Sequence, residues 1–336
     1  MASVMFDILF TVWLGKPAWI WLSFLAIVVL LLVSDLAVVN RKDHEIEVRE
    51  SLLTSTFYIA VGLLFGGWVW WYLGPEPGIN YLTGFALEKA LAMDNLFVIA
   101  LVFRYFAVPR IYQHRVLFWG ILGVIVLRAL MIGLGVAALA HFSWIFYAFA
   151  LFLIITGLKT LFFAEHVNDI ARNPVLALLR RHFNVTKEHH GRHFFVKLPH
   201  PGTGRPTWFM TPLFLALVLI EGADILFAVD SVPAIFAITT DPFIVYTSNI
   251  FAILGLRSLY FALAAMMYRF YYLKYALAFV LIFIGLKMAI AEVLDGAKIP
   301  PVVSLGVTIA ILATGVCWSL WKTGRDAPAG NDRLSI

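Results

Sequence analysis

Six acidic residues lie within stretches of sequence that are otherwise apolar, namely Asp35, Glu88, Asp94, Glu221, Asp224 and Asp230. A charge at the centre of a bilayer costs about 2.5–3.5 kcal/mol even on lenient insertion scales, so these acids are expected to face partners or water. Carboxylate and amide oxygens are the ligands that hard divalent cations such as Mn²⁺, Mg²⁺ and Ca²⁺ prefer. The sequence therefore predicts a buried oxygen site for such a cation.

The predicted metal ligands are eight residues: Glu88, Asp94, Asn95, Glu221, Asp224, Asp230, Ser231 and Asp35. Neither of the two stretches that carry the first seven contains His or Cys, which argues against zinc or a softer metal. Asp35 lies five residues from the end of its apolar stretch. It either belongs to the ion path or ends near water, and both interpretations stay open.

Basic residues lie in the same apolar stretches, and they support a second interpretation of the acids. Arg128, Lys159, Arg257 and Lys287 are expected to face inward and pair with carboxylates. In this alternative the acids form internal salt bridges that hold a helix bundle together. Lys89, beside Glu88, is a further buried base.

The chain that positions these residues has the composition of a membrane protein. Apolar residues make up 62% of its 336 positions and charged residues 13%, too few charges to cover a water-soluble surface. The apolar residues come in blocks of about twenty, the length of a helix that crosses a bilayer. We predict an all-α integral membrane protein with about nine spans, at 18–40, 52–72, 80–106, 116–140, 144–164, 211–237, 243–267, 272–293 and 301–321.

Connecting segments alternate between basic and nearly free of Lys and Arg, which predicts the side of the membrane on which each lies. The positive-inside rule places the N-terminus outside and the C-terminus in the cytoplasm, in the cytoplasmic (inner) membrane. No cleaved signal peptide is expected. Cys317 is the only cysteine, so an internal disulfide and a thiolate metal cluster are excluded. The formal charge of +5 comes from scattered residues, so no nucleic acid partner is expected beside the metal ion and the lipid bilayer.

Two halves of the sequence repeat the same signals in the same order. Glu88 to Asn95 and Asp224 to Ser231 both read acid, five residues, Asp, small polar, and Leu-Arg and Gly-Leu-Lys motifs follow each. Each unit has three spans, so the second must enter the membrane from the opposite side, as in many secondary transporters with a midplane site. The predicted organisation is helices 1–2 at 1–79, a first repeat at 80–164, a cytoplasmic loop at 165–210, an inverted second repeat at 211–294 and a last helix with a cytoplasmic tail at 295–336.

One straight helix cannot direct all acids of the sixth span at one ion, because Glu221 and Asp230 are half a turn apart. Gly222 and Pro233 therefore suggest a bend or break in that span, with backbone oxygens freed as ligands. A Pro233 kink that serves packing alone is the alternative.

At Glu88 to Asn95, at Glu221 to Pro233 and at Thr240 to Arg257, the sequence resembles the TerC family of integral membrane proteins, most closely its Alx-type members. The resemblance implies manganese export and a metal role for Glu88, Asp94, Glu221, Asp224 and Asp230. The residues alone indicate a hard cation and oxygen ligands.

The sequence therefore predicts a transporter that exports a divalent cation, with Mn²⁺ as the first candidate, and not an enzyme. Export in exchange for protons is one form of this hypothesis. Transport of a small organic cation or amino acid is an alternative that the inverted repeat suits equally well. A third is a membrane enzyme or assembly factor that uses buried acids for acid–base work.

Overall fold

The structure, a computed structural model, describes residues 9–39, 48–142, 144–162, 170, 173–186, 188–199, 204–263, 270, 272–293 and 299–326. The side chains of 36–39, 48, 94, 291–293 and 324–326 lie outside the described part. The helices in chain order are α1 (Ala18–Val39), α2 (Val48–Leu73), α3 (Pro75–Tyr105), α4 (Arg110–His141), α5 (Ile145–Phe162), α6 (Pro174–His182), α7 (Pro212–Phe236), α8 (Pro242–Leu254), α9 (Leu256–Leu263), α10 (Leu273–Val293) and α11 (Pro301–Asp326).

Two short antiparallel hairpins lie between helices. Strands β1 (Val12–Trp13) and β2 (Lys16–Pro17) precede α1, and β3 (Phe195–Pro199) and β4 (Pro206–Met210) lie in the long predicted loop. Most of the other described residues are helical, so the chain is an all-α membrane protein, as predicted. Hydropathy did not indicate the second hairpin, because its strands are too short to cross a bilayer.

Helices occupy the described parts of all nine predicted spans, and the seventh span holds the two shorter helices α8 and α9. Within the described residues, eight candidate spans are long and apolar enough to cross a membrane, with α8 and α9 counted as one. Helix α3 is not among the eight because Glu88, Lys89 and Asp94 lie close together in it. The exact number of spans stays a prediction. The ends differ most at α4, which begins at Arg110 and not at 116, because hydropathy detects only the apolar part of a helix.

Helix starts follow a simple sequence signal. Pro75, Pro212, Pro242 and Pro301 each lie in the first turn of a helix. Proline suits this position because its missing N–H would have no partner there and its φ is already helical. Asp241 adds a cap to α8, where its Oδ1 accepts from the Phe243 backbone N–H at 3.0 Å.

The predicted break in the sixth span is wrong. Helix α7 is continuous from Pro212 to Phe236, and Pro233 lies in its last turn, where a missing N–H disturbs little of the helix. The interruption falls instead at Gly255, between α8 and α9. There the Ala252 carbonyl accepts a hydrogen bond from Lys89 Nζ at 3.0 Å.

The helix pair α8 and α9 lies at the centre of the molecule. In the candidate span formed by α8 and α9, 94% of the residues are buried, compared with 22% in that formed by α4. Phe251 of α8 packs on Phe65 of α2, with ring centroids 4.6 Å apart, and Phe243 meets Trp21 of α1 edge to face. A polar side chain on α8 can therefore meet other helices inside the protein.

Helices α5 and α10 pack against each other through matching glycines. A Cβ at position 157 would lie 2.8 Å from the Ala278 carbonyl oxygen, and one at 285 would lie 2.9 Å from the Ala150 carbonyl oxygen. Small residues allow membrane helices to approach this closely. The contacts are reciprocal and the helices antiparallel, as two inverted copies of one unit would be. This packing supports the internal repeat, which stays a prediction.

Candidate functional site

A buried guanidinium is the centre of the site. Arg128 of α4 is 1% exposed. Its Nη1 lies 2.6 Å from Glu88 Oε1, and its Nη2 lies 3.1 Å from Asp224 Oδ1. Nη1 also donates to Ser231 Oγ at 2.8 Å and to Asn249 Oδ1 at 3.0 Å, and Nε donates to Asp224 Oδ2 at 3.3 Å. We call Arg128 with these four partners the Arg128 centre.

Four helices build the Arg128 centre, and the helical repeat explains why they converge. Asp224 and Ser231 on α7 are seven residues apart, two turns of helix, so they share one face. Glu88 and Asn95 on α3 have the same spacing, and Asn95 Nδ2 donates to Asp224 Oδ1 at 3.4 Å. The polar faces of the two acidic motifs thus meet each other.

Asn249 of α8 completes the hydrogen bonding. Its side-chain amide donates to Glu88 Oε2 at 3.0 Å while its oxygen accepts from Arg128. Sequence reasoning missed this residue. The available signal was an asparagine in the middle of an apolar span, since such polar residues in membrane helices commonly bond across helices.

Glu221 differs from the acids of the Arg128 centre. Both of its carboxylate oxygens are buried and have no hydrogen-bond partner within the described residues. The carboxylate lies against α4, where a Cβ at position 123 would lie 2.6 Å from Glu221 Oε2, so glycine makes the room for it. Because Glu221 precedes Asp224 by three residues, the two acids are neighbours on α7. A buried carboxylate without partners requires a proton or a cation.

A small cavity lies next to these groups. It has a volume of ≈ 40 Å³ open to water-sized spheres, and its polar lining comes from Asn95, Asp224 and Arg257. This is room for roughly two or three water molecules. Asn95 is 7% exposed, and its Oδ1 has no hydrogen-bond partner in the described part of the chain. An unused acceptor beside a carboxylate can bind water or a cation.

Other charged residues of the predicted site have partners outside the Arg128 centre. Asp35 of α1 forms a buried ion pair with Arg257 of α9. Lys287 of α10 donates to Ser304 Oγ of α11 at 3.1 Å. This pair agrees with the salt-bridge interpretation of the buried acids, and a place for Asp35 in the ion path stays a prediction.

The expectation that Lys159 faces inward is wrong. Its side chain is exposed, and it is three residues from the end of α5 at Phe162. A lysine so near a helix end can extend its amine to the membrane surface.

Two further acids of the predicted site are placed only in part. Asp94 lies on α3, but its side chain is outside the described residues. Asp230 is half-buried on α7. Since it follows Asp224 by six residues, it points about 120° away from the face that carries Asp224 and Ser231.

The predicted ligands therefore do not form a ready cluster of acids. Among the described side chains, no group of three or more His, Cys, Asp or Glu is placed to hold a metal ion. Glu88 and Asp224 meet at Arg128, as the salt-bridge interpretation expected of such acids. Glu221 lies beside them, and its carboxylate has no hydrogen-bond partner among the residues that the structure describes.

These features define a polytopic, all-α integral membrane protein with a buried charged centre between its helices. The chain belongs to the family described as the integral membrane protein TerC family, which its residues 73–327 match.

Relatives match the chain over nearly its whole length. An uncharacterised membrane protein of Myxococcus xanthus is 47% identical over 317 residues, which cover 94% of this chain and 96% of the relative. A protein of Photorhabdus laumondii, named putative membrane-bound redox modulator Alx, is 43% identical and covers 91% of this chain and 96% of its own. One of the same name from Salmonella typhi is 42% identical and covers 91% and 95%. No solved structure matches significantly.

Proposed function

We propose that the chain is a secondary transporter that exports a divalent metal cation, Mn²⁺ before others, and is not an enzyme. The observation that carries this proposal is the excess of buried acid. Glu88, Asp224 and Glu221 bring three carboxylates to one region, and Arg128 brings one positive charge. Ionised, the group lacks two positive charges, which is the charge of one divalent cation.

The ligand chemistry supports the same class of substrate. The oxygens in this region come from carboxylates, side-chain amides and a hydroxyl, and hard divalent cations prefer such oxygens. The choice of Mn²⁺ within that class rests on the family resemblance.

Protons are a suitable coupling ion. When a divalent cation leaves closely spaced carboxylates, protons can replace part of its charge. In this proposal Glu221 takes up a proton, since it has no other partner among the described residues. The cation moves outward across the cytoplasmic membrane, with the N-terminus outside and the C-terminus in the cytoplasm.

The cavity favours an ion over an amino acid. Its ≈ 40 Å³ suits an ion that keeps a few waters, whereas an amino acid needs a larger space and partners for its carboxylate and amine. The Photorhabdus and Salmonella relatives are named redox modulators, but redox chemistry through a thiol pair within this chain is excluded, because Cys317 is its only cysteine.

Transport by purified protein in liposomes tests the proposal. Mn²⁺ entry would be followed with an enclosed Mn²⁺-sensitive dye for the wild type, Asp224→Asn and Glu221→Gln. The matched control is Asp241→Asn, which removes an acid outside the Arg128 centre and keeps a good helix cap.

We expect flux with the wild type and with Asp241→Asn, and a loss of about tenfold or more in the other two, because each removes charge that offsets the cation. Wild-type rates in Asp224→Asn and Glu221→Gln would overturn the proposal. So would a wild type that carries an amino acid and no Mn²⁺.

A further inference from the structure

The Arg128 guanidinium is surrounded by the kind of oxygens that a metal ion would use. Five oxygen atoms from four residues lie within 3.3 Å of its nitrogens: one of Glu88, two of Asp224, and those of Ser231 and Asn249. All four residues are buried. Two carboxylates, one amide and one hydroxyl also form an acceptable first shell for a hard divalent cation.

The guanidinium balances only part of the negative charge of these oxygen ligands. Glu88 and Asp224 carry two negative charges when ionised, and Arg128 carries one positive charge that it cannot lose. A divalent ion would balance both carboxylates. The guanidinium and such an ion cannot occupy the shell together, because they need the same oxygen atoms and repel each other.

We propose that Arg128 is a tethered cation that occupies the cargo site when no metal ion is bound, and that the arriving ion displaces it. The inference rests on the proposed function and assigns the site within it: Glu88, Asp224, Ser231 and Asn249 bind the ion. Arg128 keeps these acids neutralised in the empty state, so the empty protein does not carry two unpaired charges in the membrane.

The displaced side chain has space beside it. The cavity of ≈ 40 Å³ is lined on the α4 side by Gly120 and Val124, which precede Arg128 by one to two turns. Long helical side chains lean toward the N-terminus of their own helix, which for Arg128 is toward these residues. Asn95 Oδ1, which has no partner among the described atoms, lies on the wall of the same cavity and can accept from the displaced guanidinium.

Arg257 provides a matched control, because it occupies the position of Arg128 in the other half of the predicted repeat. It is also buried, at 6% exposed, and its described carboxylate partner is the single acid Asp35. One carboxylate and one guanidinium are balanced, so no cation is missing there. Arg257 lines the same cavity as Asn95 and Asp224, so its removal takes a positive charge from beside the site but leaves the Arg128 guanidinium in the oxygen shell.

The test measures Mn²⁺ binding and thermal unfolding of purified protein in detergent for the wild type, Arg128→Gln, Arg128→Lys and Arg257→Gln. If Arg128 fills the site at least nine-tenths of the time, removing it raises the apparent Mn²⁺ affinity by about tenfold or more. The Mn²⁺ affinity of Arg128→Lys should lie between those of the wild type and Arg128→Gln, because an ammonium with three donors cannot reach all five oxygens.

We expect metal-free Arg128→Gln to unfold below the wild-type temperature and Mn²⁺ to raise its Tm more than it raises that of the wild type. Arg257→Gln should gain less Mn²⁺ affinity than Arg128→Gln, because Arg128 still occupies the five oxygens. An equal gain in Arg257→Gln would show that removal of charge alone explains the effect, and it would overturn the inference. Equal affinity in the wild type and both Arg128 variants would overturn the inference, and Arg128→Lys still decides the matter if Arg128→Gln does not fold.

Failure of the inference is distinguishable from failure of the proposed function. A wild type that transports Mn²⁺, with no gain of affinity in either Arg128 variant, would refute the tethered cation alone. If no variant binds Mn²⁺ and the wild type does not transport it, both are refuted.

Discussion

The close crossing of α5 and α10 makes a sharp prediction about stability. In Gly157→Ala the new Cβ would lie 2.8 Å from the Ala278 carbonyl oxygen, and in Gly285→Ala it would lie 2.9 Å from that of Ala150. Backbone atoms cannot move aside as side chains do, so the helices must separate. Overpacking costs about 1–3 kcal/mol, and contacts with rigid backbone atoms fall in the upper half of that range, whereas alanine regains about 0.5–1 kcal/mol through its helix propensity. Each variant should therefore be destabilised by roughly 1–2.5 kcal/mol.

Reversible unfolding in mixed detergent, followed by tryptophan fluorescence, measures these costs. The matched control is Gly133→Ala on the exposed face of α4, where an added Cβ meets nothing within 4 Å. It should be neutral or stabilising by up to about 1 kcal/mol. The double variant of 157 and 285 should cost less than the sum, because helices already separated by one methyl group accommodate the second. Stabilities of both single variants equal to that of Gly133→Ala would refute the packing described here.

Three further predictions use the same purified protein or simple fusions. Asp35→Ala should lower the free energy of unfolding by about 3–5 kcal/mol, because it leaves Arg257 buried and unpaired. Lys16→Ala should lower it by at most about 1 kcal/mol, because the ion pair of Lys16 with Asp241 is partly exposed. Equal losses in the two variants would contradict this. Glu221→Gln should unfold at or above the wild-type temperature, since it removes a buried charge without a described partner, and a large fall in Tm would contradict it. A C-terminal fusion should be fluorescent with green fluorescent protein and inactive with alkaline phosphatase, and the reverse would contradict the predicted orientation.

Much of the fold could be predicted from the sequence because crossing a bilayer imposes length and apolarity on each helix. Where an observed helix end differs from the predicted one, as at Arg110, polar residues continue the helix into the membrane interface. The interruption at Gly255 could not be placed in advance, since Gly222 and Pro233 looked equally suitable. What decides between such positions is packing around the buried α8 and α9, which hydropathy does not report.

The candidate site could be predicted in its components but not in its pairing. Spacing of seven residues in Glu88–Asn95 and Asp224–Ser231 was present in the sequence and places those residues on common faces. Which base would meet which acid depends on the contact between helices distant in sequence. Arg128 pairs with acids in both halves of the predicted repeat, whereas Arg257, at the matching position of the second half, pairs with Asp35 of α1.

The position at which manganese binds tests the proposed site most directly. Crystals of the protein grown with Mn²⁺ would be measured at the manganese absorption edge, with metal-free crystals for comparison. We expect an anomalous peak bounded by Glu88 and Asp224, with the Arg128 side chain turned into the neighbouring cavity. A peak confined to surface residues, with the guanidinium still between the two carboxylates at saturating Mn²⁺, would contradict it.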